Sequence, residues 1–173
     1  MSVKVKVKEK WTVRRVLKEI GLTLVMLFVI SMVLNYIRQP NITESIYEYN
    51  LLDIEDNKVN FSEYKEAPLV VHFWATWCPT CKLEASNIEN ISNEYNVITI
   101  AVNSGTNREL ELYMEQKSLS YRVINDTEGA LAQKFNIEAY PTTLIYDSKG
   151  ELKFTEVGYS TTLGLKARVG LLD

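Results

Sequence analysis

Residues 69–82 read LVVHFWATWCPTCK and hold both cysteines of the chain with two of its three tryptophans. The first six are apolar or aromatic apart from one histidine and show no polar alternation, the pattern of a strand buried on both faces of a sheet. The chain then turns through Ala75 and Thr76 into Cys78-Pro79-Thr80-Cys81. Pro79 suits the first position of a helix, because it lacks the amide hydrogen that would be left unpaired there. A central strand, a short loop and a helix are therefore expected in that order, with the two sulfurs at the loop–helix junction.

Working outward, YEYNLLDIEDNKVNF (47–61) offers two short β-prone runs around Asp56-Asn57, a predicted hairpin or extended lead-in. Downstream, the patterns predict a helix over 79–95, a strand over 97–102, a helix over 107–119, a strand over 121–124 and a short helix over 128–135. Strands over 142–147 and 152–158 flank a turn at Ser148-Lys149-Gly150, and a last helix begins near Ser160. Strands that alternate with helices imply a βαβ unit, and the closing hairpin adds an antiparallel edge. The expected class is α/β, a central mixed sheet flanked by helices, with no internal repeat.

With 173 residues, 46% of them hydrophobic, the chain can bury a core without covalent staples. The net charge of −3 conceals a split: residues 1–37 carry seven Lys/Arg against two Glu, and residues 38–173 carry twelve against twenty Asp/Glu. The acidic main part argues against nucleic acid as a partner, since phosphate binding draws on clustered cations. From Ile20 to Ile37 run eighteen residues without a charge, close to the ~20 needed to cross a bilayer's hydrocarbon core. Trp11 and Tyr36 are candidate interfacial anchors, and the lysines and arginines ahead of the span place the N-terminus in the cytoplasm. The predicted organisation is a basic cytoplasmic segment (1–18), a transmembrane anchor (19–37), a linker containing Pro40 (38–45) and a folded domain (46–173) outside the membrane. A cleaved signal peptide is the rival reading, but NYIRQPNITE is a poor cleavage site and offers no cysteine for lipid attachment.

Cysteines three apart at a helix start share a face and can close a disulfide. The unpaired N–H groups of the first turn and the helix dipole stabilise an anion there, which favours the thiolate of Cys78. Cys78 is thus the expected attacking sulfur and Cys81, one turn inside and more buried, the resolving one. A structural zinc site needs four Cys or His ligands, and the chain has two Cys and one His. Haem attachment needs His after the second cysteine, where Lys82 stands. Cu(I) held by two thiolates, a zinc ion shared across a dimer, and inert thiols stay open.

VVHFWATWCPTCK resembles the active-site strand, loop and helix of the thioredoxin superfamily, and YPTTLIYDSKGEL its cis-proline loop and closing hairpin. A single N-terminal anchor with FWATWCPTCKLE is similar to the membrane-anchored TlpA-like thiol-disulfide oxidoreductases, which include proteins of the CcmG, ResA and ScsD type. The resemblance covers roughly residues 45–173. It implies a thioredoxin-like fold, with Cys78 as nucleophile and Cys81 as resolving cysteine. It further implies a cis bond before Pro141, which leaves the backbone of Tyr140 free to pair with an extended substrate segment.

Glu84 lies on one helical stripe with Cys81, Ile88, Ile91 and Tyr95, so a carboxylate sits where apolar residues belong. A partly buried Glu there has a raised pKa and can exchange a proton with a nearby thiol, and TlpA-like proteins resemble this chain in carrying an acid at that position. The alternative is a solvated Glu that stabilises the helix start. His72 falls where many thioredoxins place a buried acid, and is either a proton relay or a neutral core histidine. Trp74 and Trp77 are expected to shield the site, with Trp77 also lining a partner-binding surface.

The expected function is a membrane-anchored, extracytoplasmic thiol-disulfide oxidoreductase, with no cofactor and no metal, that reduces protein disulfides through a mixed disulfide at Cys78. Its partners would be cysteine-containing extracytoplasmic proteins and a membrane electron donor, and cytochrome c maturation is one setting the resemblance implies. The expected location is a bacterial cytoplasmic membrane, crossed once, with the domain in the periplasm or otherwise outside. A disulfide-forming oxidase, or a copper-binding or copper-stress protein using the same sulfurs, is the alternative. The peroxidase motif P-x-x-x-T-x-x-C is absent.

Overall fold

The structure, a computed structural model, describes residues 18–27, 29–30 and 46–172. The chain divides into two compact units, Met1–Gln39 and Pro40–Asp173. In the first, residues 18–27 and 29–30 are helical, and the side chains of Ile20, Leu22, Leu24 and Val29 are exposed. Among the described residues no helix is long and apolar enough to cross a membrane. The basic segment expected over 1–18, except for Lys18, the linker expected over 38–45 and much of the anchor expected over 19–37 lie outside the described residues.

The second unit opens with a 3-10 turn (Ile46–Glu48) and an antiparallel hairpin, β1 (Asn50–Leu52) with β2 (Lys58–Asn60). The expected lead-in hairpin thus forms around Asp56, whose backbone adopts φ 62°. Then follow β3 (Leu69–Trp74), α1 (Pro79–Ser92), β4 (Asn96–Val102), α2 (Asn107–Lys117), β5 (Arg122–Asp126), α3 (Ala130–Lys134), β6 (Thr142–Tyr146), β7 (Leu152–Val157) and α4 (Thr162–Val169). The five-stranded sheet has the order β5-β4-β3-β6-β7. β3 runs parallel to β4 and antiparallel to β6, so the sheet is mixed. β3 is central, and all six of its residues are buried.

The lack of alternation in LVVHFW reflects two cores. Val70 and Trp74 point to the face that carries Cys78, Cys81, Ile88 and Leu165. Leu69, Val71 and Phe73 point to the other, where they meet Phe61 and Phe135. Both faces of β3 are dry, so neither selects for polar residues.

Several element ends differ from the sequence reading, each for a local reason. α1 stops at Ser92, three residues early, where the Ile91 carbonyl is shared by the N–H groups of Glu94 and Tyr95 at 3.1 and 3.0 Å. Tyr95 therefore leaves the stripe of Glu84 but still packs on the same core. α2 stops at Lys117 because Ser118 turns left-handed at φ 53°. α3 is only five residues long, since Gly129 at φ 75° delays its start. α4 begins behind Thr161, whose hydroxyl accepts the Gly164 N–H at 3.1 Å, the usual service of a threonine N-cap.

Candidate active site

β3 delivers the chain to the sheet's edge, and the turn into α1 places the two sulfurs there. Cys78 is the N-cap of α1 with extended backbone (φ −83°, ψ 115°), and its Sγ accepts the Cys81 N–H at 3.1 Å. A side-chain oxygen normally fills this capping role; here a sulfur does, so the positive end of the helix acts on Cys78. Cys78 and Cys81 are joined as a disulfide with their Cα atoms 5.3 Å apart. Their exposures, 5% and 3%, hardly differ. Accessibility therefore does not separate the two sulfurs; the Cys81 amide aimed at Cys78 does.

The loop before β6 closes over the pair. The Tyr140 carbonyl oxygen lies 3.6 Å from Cys78 Sγ, and the Tyr140–Pro141 bond is cis. The Gly158 N–H donates to the Pro141 carbonyl at 2.8 Å, tying the end of β7 to this loop. On the other side, the Thr76 N–H donates to Ser104 Oγ at 3.0 Å and Trp77 Nε1–H to the Asn103 carbonyl at 3.1 Å. Trp77 is 55% exposed and meets Tyr140 edge-on, ring centres 5.7 Å apart. Trp74 is buried between Tyr113 and Tyr121, its indole N–H bound to Thr99 Oγ1 at 3.1 Å. The two tryptophans thus do different work, one in the core and one at the rim.

Glu84, one turn beyond Cys81, is fully buried. Its Oε1 accepts the Ser160 N–H at 2.9 Å, and Oε2 is buried without a partner. Burial pushes its pKa up to about 7, against the opposing pull of the Ser160 N–H. A carboxyl group that changes charge near neutrality thus sits on the helix face of Cys81.

His72 is buried on β3, and its Nδ1 lies 2.9 Å from Thr143 Oγ1. Burial pushes its pKa down to about 3, so the ring is neutral at physiological pH. Among the described residues no group of three or more His, Cys, Asp or Glu is placed to hold a metal ion.

Sequence reasoning missed the loop between β7 and α4. Ser160 binds Glu84, and Asn87 Nδ2 donates to the Tyr159 hydroxyl at 3.0 Å and to the Ser160 carbonyl at 2.9 Å. These partners lie more than seventy positions apart, and no local pattern in GYST signals the contact.

A family model described as Redoxin matches residues 38–168. The chain belongs to the redoxin family. Among its relatives, a thioredoxin-like protein of Haemophilus influenzae is 29% identical over 160 residues, 91% of this chain and 95% of that protein. The sporulation thiol-disulfide oxidoreductase A of Bacillus subtilis is 30% identical over 104 residues, 56% of this chain and 63% of that one. The crystal structure of a thioredoxin-family thiol:disulfide interchange protein from Chlorobium tepidum superposes with a TM-score of 0.66 at 22% identity, covering 77% of this chain and 96% of that one. This redoxin is a thiol-disulfide oxidoreductase of the thioredoxin superfamily with a close cysteine pair.

The raised pKa of Glu84 has a consequence for stability. The folded value lies above that of the unfolded chain, so the fold holds the extra proton between the two, and stability falls as pH rises through that window. Glu84→Gln should therefore melt at a higher temperature than the wild type at pH ~8, with the advantage gone by pH ~4. Thermal melts across that range check it, and a pH-independent difference would contradict the buried-carboxyl account.

Proposed function

We propose that this chain is a membrane-tethered, extracytoplasmic reductase of protein disulfides. The observation that carries the reading is the arrangement around Cys78: a helix-start amide aimed at its sulfur, and the Tyr140 carbonyl opposite. The Cys78 thiolate attacks one sulfur of a partner's disulfide. A mixed disulfide forms, and the partner's other sulfur leaves as a thiolate and takes a proton. Cys81 then gives its proton to the Glu84 carboxylate and attacks Cys78, breaking the mixed disulfide and releasing the partner's second thiol. Two electrons pass to the partner, and the domain is left with its Cys78–Cys81 bond, to be reduced again by a membrane dithiol donor.

Each remaining site residue has a place in this scheme. The backbone of Tyr140, set by Pro141, receives an extended partner segment, and the exposed ring of Trp77 borders it. His72 stays neutral and takes no part in the proton route. Glu84 supports the reducing direction, since a base beside the resolving thiol speeds release of a reduced partner. The tether and the external location rest on the uncharged run 20–37 and the seven cations within residues 1–18.

Replacing the resolving sulfur tests the chemistry. Cys81→Ser should accumulate a partner linked to Cys78, visible as a reducible adduct on a non-reducing gel. Capture by Cys78→Ser instead would reverse the two roles. A glutathione redox titration tests direction: a reductase should have a midpoint below about −180 mV, whereas a value near −120 mV would mark an oxidase. For location, the chain should stay with membranes through carbonate extraction, and its reduced thiols should react with a membrane-impermeant maleimide in intact cells. Labelling only after lysis would place the dithiol inside.

A further inference from the structure

Asn87 stands in the interior of α1, where asparagine is a poor helix former because its amide competes with the backbone for hydrogen bonds. The caps of α1 are Cys78 and Asn93, so Asn87 serves neither end. Its side chain instead reaches out of the helix to the β7–α4 loop. Nδ2 donates to the Tyr159 hydroxyl at 3.0 Å and to the Ser160 carbonyl at 2.9 Å, and Oδ1 accepts the Thr162 hydroxyl at 3.1 Å. The exchange scheme gives this clamp no task.

Glu84 stands one turn earlier on the same helix face. Ser160 is held between the two: its N–H goes to Glu84 Oε1 at 2.9 Å and its carbonyl to Asn87. That grip bears on the carboxyl, because burial pushes its pKa up and Ser160 pulls the other way. The remaining groups around it leave this balance to Ser160. On α1, Lys82 is exposed and Glu89 is turned to the N–H groups of Ser120 and Tyr121. Tyr113 of α2, Tyr121 just before β5 and Tyr140 of the cis-proline loop have pKa values raised by burial and stay protonated near neutrality. His72 of β3 is uncharged there, and Lys166 and Arg168 of α4 are paired with Glu94 and Glu156 of β7.

We infer that Asn87 is a positioning residue for the exchange reaction: by holding Ser160 from its carbonyl side, it keeps the Ser160 N–H on Glu84 and so sets the pH at which that carboxylate can take the proton of Cys81. This rests on the proton route proposed above and names what tunes it. Without the Asn87 amide, Ser160 is free to drift from Glu84 while the apolar core around the carboxyl stays packed. The charged form then loses its hydrogen bond and keeps its burial, so Glu84 holds its proton to higher pH.

The test uses the full chain, reduced and held in detergent, with an excess of dithiobis(nitrobenzoate). Cys78 attacks this aromatic disulfide and one thionitrobenzoate leaves; Cys81 then attacks Cys78 and the second leaves, so the domain ends oxidised and the reagent reduced to two thiolates. The second release is independent of reagent concentration and reports Cys81. Its rate should rise with pH as Glu84 ionises, and Asn87→Ala should move the midpoint up by about one pH unit, as expected for weakening one hydrogen bond to a charged group. Asn90→Ala, at an exposed position of the same helix, should leave it in place. Carbon NMR titration of the Glu84 carboxyl, its signal assigned by its loss in Glu84→Gln, should show the same upward move in Asn87→Ala.

A Glu84 carboxyl that titrates at the same pH with and without Asn87 overturns the positioning role. So does a downward move, which would make Asn87 a seal against water, and so does an upward move of the second release that persists in Glu84→Gln/Asn87→Ala, which would bypass the carboxyl. If the carboxyl moves up and the second release does not follow it, the grip of Asn87 on Ser160 stands and the proton-acceptor reading of Glu84 falls, which separates the two failures.

Discussion

The amide of Cys81 points at the sulfur of Cys78 across 3.1 Å, in the first turn of α1, where N–H groups have no helical carbonyl to bind. Most of the domain serves to hold that geometry. The helix must start at Pro79, which requires β3 to end at Trp74 and the intervening loop to be pinned by Ser104. β3 in turn is held between β4 and β6 and dry on both faces, so it has little freedom to shift register. A sulfur that caps a helix is stabilised as an anion, so the backbone already favours the charge the chemistry needs.

Around that contact the polar groups are few and differently handled. His72 and Thr99 are buried near the sheet's centre and spend their polarity on neutral hydrogen bonds to Thr143 and Trp74. Glu84 is the exception, a buried carboxyl with one oxygen bound and one unpartnered. An arrangement tuned only for stability would not keep it, because a charged oxygen in a dry site costs more than one amide returns. It lies one turn from Cys81 on the same helix, and its charge state changes near neutrality. The same residue also fastens the β7–α4 loop through Ser160.

Much of the fold was legible because its signals are local. The unbroken apolar run 69–74, the proline after Cys78 and the turn at 148–150 mark strand, helix start and hairpin without reference to distant residues. Element ends were less legible, since Ser118 and Gly129 adopt left-handed backbone and the Ile91 carbonyl is shared by Glu94 and Tyr95. These depend on how each segment meets the core, which a periodic pattern does not encode.

The site divides along the same line. Residues 78–84 by themselves determined the dithiol, its helix-start placement and a carboxyl on the stripe of the second sulfur, because all of these follow from spacing along one helix. Tertiary structure decided the rest: that Glu84 is buried and meets Ser160, that Tyr140 lies across from Cys78, and that Asn87 meets Tyr159. Those contacts join positions sixty to eighty residues apart. Only the packing of α1 against the cis-proline loop and the β7–α4 loop sets such distances, and burial, which moved the pKa values of Glu84 and His72 in opposite directions, exists only once that packing has formed.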